Sequence, residues 1–202
     1  MIDGMIFFTI TCLMMSYFGC RLNRIHNVTH LPLIDIFHSE TFKFMSKYYT
    51  LSDYTILPCI VLLFYFHEHV NTFFYVHGVV NILRCISFSI TILPKPGLHG
   101  HKDPSRNLWE ITWDYFSFKD RHVGFNNDLM FSGHTSLLVS VCIHMTYFYP
   151  EYAILNIILW LGTLITSFII VTSRCHYTID VAYAYIVPLF VFQNIVIFMK
   201  LC

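Results

Sequence analysis

The apolar residues of this chain are gathered in long continuous blocks, and this blocking limits the fold more than any other feature. Of the 202 residues, 56% are hydrophobic and 12% are charged. Six blocks approach the roughly 20 residues that a helix needs to cross the hydrocarbon core of a bilayer. They run over residues 4–20, 51–66, 72–93, 129–149, 153–172 and 179–198. We therefore predict an all-α, polytopic membrane protein with six transmembrane helices.

The low and balanced charge excludes several classes of protein. Twelve lysines and arginines match twelve aspartates and glutamates, so the chain lacks the basic excess that a nucleic-acid-binding protein uses. The composition also excludes a disordered chain and a disulfide scaffold, because apolar residues are abundant and the seven cysteines lie in or beside apolar blocks. We predict a single membrane-embedded domain over residues 1–202, with no nucleic-acid partner.

Polar and charged residues collect on one side of the predicted membrane domain. The loops after the first, third and fifth helices contain ten of the twelve basic residues. One of these loops, residues 94–127, is predicted to lie outside the bilayer. The tendency of Lys and Arg to stay in the cytoplasm would make this side cytoplasmic. Because the polar motifs lie here too, we expect the chemistry on this side.

His176 and Asp180 stand at the start of the sixth predicted helix. They are four residues apart, so they share one face of a helix. A carboxylate that binds one imidazole nitrogen fixes the tautomer and leaves the other nitrogen as a base or a nucleophile. Taken alone, the pair is a weak signal, because a histidine in a membrane helix is more often a packed polar residue.

His134 stands at the start of the fourth predicted helix, after Ser132 and Gly133 and on the same side of the membrane. Glycine lets the backbone approach a ligand closely, and the N–H groups of a first helical turn favour an anion. Two histidines and a carboxylate near helix N-termini form a site for attack on phosphorus: one histidine attacks, and the other protonates the departing oxygen. Together the two motifs predict phosphoryl-transfer chemistry.

Two arginines on the same side are candidate phosphate ligands. Arg84 and Arg174 each offer the parallel donors that a guanidinium presents to phosphate, although Arg84, inside a helix, could instead extend towards the interface. The His67–His69 sequence lies on the opposite side and is interpreted as a polar turn rather than a metal site. The chemistry needs no metal, and we predict no metal and no cofactor.

Four motifs together resemble the sphingomyelin synthases. FSGHT at 131–135 and HYTIDVAYAY at 176–185 are similar to the two signature motifs of that family. RCI with TILPKPG, within 84–97, resembles the preceding motif, and LPLID at 31–35 resembles the Pro-rich motif after the first helix. The motifs occur in family order over about residues 30–190. The family is a branch of the type 2 phosphatidic acid phosphatase superfamily, so the resemblance implies a six-helix, lipid phosphate phosphatase-like core.

The resemblance also implies an activity and a set of site residues. The family transfers a phosphocholine or phosphoethanolamine head group from phosphatidylcholine or phosphatidylethanolamine to ceramide and releases diacylglycerol. The implied catalytic residues are His176, which attacks phosphorus and carries a phospho-histidine, Asp180, which orients it, and His134, which protonates the leaving diacylglycerol and then deprotonates the acceptor. The substrate-binding residues that we predict are Arg84, Asp128, Ser132, Gly133, Arg174 and Tyr177.

Departures from the family pattern keep other activities open. Residues 126–128 keep only Asp128 of the family's Cys-Gly-Asp, and Ile34 replaces a proline of the Pro-rich motif. The chain also resembles the plant phosphatidylcholine:diacylglycerol cholinephosphotransferases, so the acceptor is either ceramide or diacylglycerol. A plain lipid phosphatase is disfavoured, because its Lys/Arg-rich first motif is absent. A non-enzymatic membrane protein is a further alternative.

The resemblance and the charge pattern disagree on orientation. The resemblance implies a Golgi or plasma-membrane protein whose active site faces the lumen or the outside of the cell. The basic loops predict the opposite orientation. We favour the orientation of the family, because loops that handle phosphate need Lys and Arg in any case. A homodimer is left open.

Overall fold

The computed structural model describes residues 2–25, 33–38, 48, 50–91, 93–94 and 131–201. All the regular secondary structure in these residues is helical, which confirms the predicted all-α class. The α-helices are α1 (Ile2–Ile25), α2 (Leu51–Tyr65), α3 (Val70–Ile90), α4 (Gly133–Phe148), α5 (Ala153–Thr172) and α6 (Thr178–Leu201). Short 3-10 turns occupy Ile36–His38 and His67–His69. The predicted loop 94–127, apart from Pro94, and the candidate ligand Asp128 lie outside the described residues.

Four helical spans in the described residues are long and apolar enough to cross a membrane: Ile2–Gly19, His67–Ile90, Ala153–Thr172 and Thr178–Phe198. The helices α2 and α4 are shorter, with 15 and 16 residues, whereas a membrane-crossing helix usually has about 17–25. The outer surfaces of α5 and α6 expose large apolar side chains such as Leu161, Leu164, Ile186 and Phe190. These features indicate a multi-pass membrane protein.

Helix α4 is at the centre of the bundle. Every side chain from Leu138 to Met145 is buried. On one side, α4 packs with α2 and the first half of α3 around Leu63, Phe73 and Met145. On the other side, it packs with α3 and α6 around Val80, Val139 and Ala184. A helix buried on all sides cannot show an amphipathic pattern.

The start of α4 differs from the prediction in a way that matters for the site. The apolar block predicts a helix from residue 129, but α4 begins at Gly133. Ser132 has extended backbone dihedrals (φ −62°, ψ 121°), and its hydroxyl accepts a hydrogen bond from the Thr135 amide at 3.3 Å. This is the geometry of a helix N-cap. The cap places His134 in the first turn of the helix rather than in its interior.

Helix α1 packs along α3, where Gly4 donates its amide to Asn71 Oδ1 at 3.1 Å.

The remaining contacts bring four polar elements to one end of the bundle. These elements are Asp53 in the first turn of α2, Arg84 towards the end of α3, and the starts of α4 and α6. The segment 33–38 packs against the start of α6.

Candidate active site

The first turn of α4 is packed against Arg84. The Arg84 Nε donates to the Phe131 carbonyl at 2.8 Å, and its Nη1 contacts Met15 Sδ at 3.1 Å. A Cβ atom built at Gly133 would overlap the Arg84 guanidinium. Glycine at position 133 leaves room for the guanidinium, which a larger side chain would have to displace. Arg84 is buried and supports the turn that carries His134; its contact with phosphate stays a prediction.

His176 and Asp180 lie together at the start of α6. The His176 Nδ1 is 3.6 Å from Asp180 Oδ2, which is close for an ion pair but too long for a hydrogen bond. The same Asp180 oxygen accepts the Tyr177 amide at 3.0 Å. The other oxygen, Oδ1, has no hydrogen-bond partner among the described residues. Asp180 is 1% exposed, so its second oxygen is held in a protected position beside the histidine.

A main-chain contact joins the two motifs. The Ser132 amide donates to the Asp180 carbonyl at 3.3 Å. The N-cap of α4 is thus bonded to the first turn of α6, although 47 positions separate the two residues in the sequence. The helix start that carries Ser132, Gly133 and His134 is therefore joined to the helix start that carries Asp180.

His134 has a partner that sequence reasoning missed. Its Nε2 lies 2.8 Å from Asp53 Oδ1, in the first turn of α2. Both side chains are partly exposed, 33% for His134 and 20% for Asp53. An acidic residue at the start of an apolar helix could have drawn attention to Asp53, because charges in such helices are costly. Its pairing with a histidine 81 positions away could not be read from spacing.

Tyr177 and Arg174 also lie at the site, but their described contacts are to protein. Tyr177 is 2% exposed; its hydroxyl accepts the Leu33 amide at 3.0 Å and donates to the Pro94 carbonyl at 2.8 Å. Arg174 has a φ of 60°, in the left-handed region, and its Nη2 donates to the His38 carbonyl at 2.7 Å. Their roles in substrate binding stay predictions.

The segment 33–38, which contains Asp35 of the LPLID motif, supplies a second group of contacts to the site. The Asp35 carboxylate accepts the Thr178 amide at 2.6 Å, the Thr178 hydroxyl at 2.7 Å and the Phe37 amide at 3.0 Å. The His38 Nε2 lies 3.1 Å from the His176 carbonyl. The motif similar to the Pro-rich motif is therefore bonded to the motif that contains His176.

Local electrostatics follow from burial and from these hydrogen bonds. Burial alone would raise the pKa of Asp35, but the hydrogen bonds from Thr178 and Phe37 outweigh it and lower the pKa. Burial raises the pKa of the Cys175 thiol, and the nearby Asp53 carboxylate adds to the rise. Burial also raises the pKa of Tyr177, which keeps its hydroxyl protonated.

Comparison with known proteins agrees with this geometry. Residues 127–196 match the family model described as PAP2 superfamily C-terminal, and this range contains both histidine motifs. The chain is 29% identical over 124 residues to phosphatidylcholine:ceramide cholinephosphotransferase 2 of Mus musculus, which covers 56% of this chain and 34% of the mouse protein.

Two further relatives extend the comparison. Phosphatidylcholine:ceramide cholinephosphotransferase 1 of Homo sapiens is 32% identical over 129 residues, 56% of this chain and 30% of the human protein. Sphingomyelin synthase-related 1 of Caenorhabditis elegans is 29% identical over 117 residues, which cover 54% of this chain and 24% of the Caenorhabditis elegans protein. The chain thus spans about a third or less of the length of these relatives. Residues 127–196 are thus similar to the PAP2 superfamily C-terminal model, and the predicted resemblance to the sphingomyelin synthases and ceramide cholinephosphotransferases is confirmed.

Proposed function

We propose that this chain is a lipid phosphotransferase that moves a phosphocholine or phosphoethanolamine head group from a glycerophospholipid to ceramide and releases diacylglycerol. The observation that carries the proposal is the bond between Ser132 and Asp180, which joins the two helix starts that carry His134 and His176, each of them beside a carboxylate. His134 has Asp53 at 2.8 Å, and His176 has Asp180 at 3.6 Å. The names of the relatives supply the substrate class, phosphatidylcholine and ceramide.

The two histidines have different environments, and these suggest different tasks. His176 presents its Nδ1 to Asp180, so Nε2 is the nitrogen that would attack phosphorus. Attack forms a P–N bond and breaks the bond from phosphorus to the diacylglycerol oxygen. Asp180 would stabilise the positive imidazole that results. Because Asp180 is buried and partly unbonded, its charge is only weakly screened.

His134 would move the proton. Its Nε2 is held by Asp53, which leaves Nδ1 to give a proton to the departing diacylglycerol oxygen. Neutral His134 would then take the proton of the ceramide hydroxyl, whose oxygen attacks phosphorus and breaks the P–N bond. Such proton transfer is typically worth about 10²–10⁴ in rate. In this scheme Arg84, Asp128, Ser132, Gly133, Arg174 and Tyr177 would bind or support the head group.

Expression of the chain in cells that lack such activity tests the proposal. Membranes would receive a fluorescent ceramide and, in a separate reaction, a fluorescent diacylglycerol, and the lipid products would be separated. We expect a phospholipid product from ceramide that disappears in His134→Ala, His176→Ala and Asp180→Ala, with the variants still inserted in membranes. Full activity in any of these variants would contradict the mechanism.

The same experiment separates the other candidate activities. A product formed from diacylglycerol and not from ceramide would identify a diacylglycerol cholinephosphotransferase. Rapid release of soluble head group without a lipid acceptor would indicate a phosphatase. If no donor gives a product, the chain is a non-enzymatic membrane protein.

The location of the site is part of the proposal. We infer a single membrane-embedded domain in the Golgi or plasma membrane, with His134 and His176 facing the lumen or the outside of the cell. Asn27-Val28-Thr29 is a sequon on the same predicted side. Sugar on Asn27 would support this orientation, whereas cleavage of the His176 loop by a protease added to the cytoplasmic face would contradict it.

A further inference from the structure

We propose that residues 33–38 act as a docking segment that positions His176 for attack, with Asp35 and His38 as its two positioning residues. The inference deepens the proposed function and rests on it. Neither residue has a described contact with the imidazole of His176. His38 binds the main-chain carbonyl of His176 and Asp35 binds Thr178, two residues later, so their effect would be on orientation.

Asp35 caps the start of α6 from another part of the chain. Thr178 is the first residue of α6, and the first amides of a helix have no partner within the helix. Both Asp35 oxygens are used here, because one accepts the Thr178 amide and the other accepts the Thr178 hydroxyl. A carboxylate at a helix N-terminus is also favoured by the helix dipole. Asp35 therefore fixes the backbone two residues after His176.

His38 fixes the backbone of His176 itself. Its Nε2 lies 3.1 Å from the His176 carbonyl; since a carbonyl only accepts, Nε2 is the donor. The ring of His38 packs on Tyr177, with centroids 5.4 Å apart. The Arg174 guanidinium closes the contact from the other side by binding the His38 carbonyl at 2.7 Å.

The His176–Asp180 geometry explains why such support matters. The 3.6 Å separation leaves the imidazole without a hydrogen bond from Nδ1 to any described residue. The orientation of the ring therefore depends on the backbone that carries it, and that backbone lies between Ser173 and Thr178, outside the regular part of α5 and α6. Small misplacement of a reacting group can cost about 100-fold in rate.

Steady-state kinetics on the full chain test the proposal. In Asp35→Asn and His38→Phe, we expect kcat to fall about tenfold or more, with KM for donor and acceptor within about twofold of the original values. His38→Phe keeps the ring on Tyr177 but removes the donor; His38→Gln restores a donor and should recover most of kcat. Ile34→Ala is the matched control, because Ile34 lies in the same segment and is fully exposed.

A double-mutant cycle isolates the contact. Thr178→Val removes the hydroxyl that binds Asp35, so the double variant with Asp35→Asn should be little worse than Asp35→Asn alone. If the variants melt at the same temperature as the original protein, their lower kcat reports positioning rather than loss of folded protein. If kcat per folded molecule stays at the original level in Asp35→Asn and His38→Phe, the proposal is wrong.

A chemical measurement keeps the inference testable even if the chain transfers no lipid. His176 is only 12% exposed, so diethyl pyrocarbonate should modify it slowly. Release of the docking segment should raise its rate of modification several-fold in Asp35→Asn and His38→Phe, while the exposed His69 reacts as before. An unchanged His176 rate would overturn the docking role, whereas absence of lipid transfer with a raised rate would overturn only the proposed function.

Discussion

Each histidine of the site has one carboxylate, but the two pairs differ in geometry and exposure. Asp53 and His134 make direct contact where both are partly exposed. The Asp180 carboxylate is buried and lies 3.6 Å from His176 Nδ1, too far for a hydrogen bond. A bonded, accessible pair suits a group that must gain and lose a proton, and a buried charge beside a histidine suits the stabilisation of a cationic intermediate. This difference leads to separate predictions for the two carboxylates.

Asp53→Asn should lower transfer roughly 100-fold, because His134 loses the carboxylate that binds its Nε2 and orients its Nδ1 for proton transfer. Asp3→Asn, which changes an exposed acid in the first turn of α1, should leave transfer unchanged. Product formation from fluorescent ceramide, normalised to protein in the membrane, measures both. Equal activity of the two variants would show that Asp53 takes no part in proton transfer.

Gly133→Ala should abolish most activity and lower the melting temperature. The new methyl group would overlap the Arg84 guanidinium, and either Arg84 or the first turn of α4 must move. Gly162→Ala is the control, because a Cβ there meets no atom within 4 Å; it should be neutral or stabilise by up to about 1 kcal/mol. Thermal unfolding in detergent, followed with the transfer assay, compares them. A Gly133→Ala protein with unchanged melting temperature and activity would contradict the packing described.

Much of the site could be predicted where the residues that matter are close in sequence. The His176–Asp180 spacing and the Ser132 cap both follow from helix geometry. Asp53 and His38 were missed because their partners are 81 and 138 positions away, and such pairing depends on how the helices pack. The sequence places Tyr177 in the motif that contains His176. It does not predict the contacts of the buried Tyr177 hydroxyl with Leu33 and Pro94.

Among the structural elements, the docking segment should respond to acid. The pKa of Asp35 is lowered in the folded protein despite burial, because Thr178 and Phe37 donate to its carboxylate. A lowered pKa means that the stabilisation is complete above the unfolded value, about 3.9, and is lost as the pH falls through the folded value.

We therefore expect the Thr178 and Phe37 amides to lose protection from hydrogen exchange as the pH falls below the unfolded pKa of Asp35 and through its lowered folded pKa, after correction for the intrinsic pH dependence. Mass spectrometry of peptides from segment 33–38 and the start of α6 would follow this loss. Asp35→Asn should show low protection at every pH. Protection that persists unchanged at low pH would show that the Asp35 charge does not hold the segment.

The helix boundaries, like the site residues, could be predicted from the sequence only in part. The bounds of α5 match the prediction, because α5 faces lipid along much of its length and its apolar block is uninterrupted. The beginning of α4 was predicted too early, since hydropathy does not register the cap at Ser132.

In the molecule as a whole, the proposed chemistry is confined to one end, although histidines also lie deep in the bundle. His77 Nδ1 bonds to Ser140 Oγ at 3.0 Å. His144 is 1% exposed, and neither of its ring nitrogens has a hydrogen-bond partner among the described residues. Its ring packs instead beside Phe73 and Phe148.

His144→Phe should therefore preserve transfer and either leave stability unchanged or raise it. An unsatisfied buried polar group costs about 1–3 kcal/mol, and an apolar ring of similar shape removes that cost. His77→Phe should instead lower stability, because it breaks the contact with Ser140. Unfolding of both variants in the same detergent gives the comparison. Loss of transfer in a stable His144→Phe protein would place chemistry in the centre of the bundle, against this account.

The most direct test of the central claim is to trap the head group on the protein. The purified full chain would be incubated with a phospholipid donor labelled in the head group, without an acceptor, and the attached label located by peptide mass spectrometry. The account predicts label on His176 that is acid-labile and alkali-stable, absent in His176→Ala, slow to form in His134→Ala, and discharged when ceramide is added. Efficient transfer to ceramide with no label on His176 at any time would contradict it and would favour direct transfer between two bound lipids.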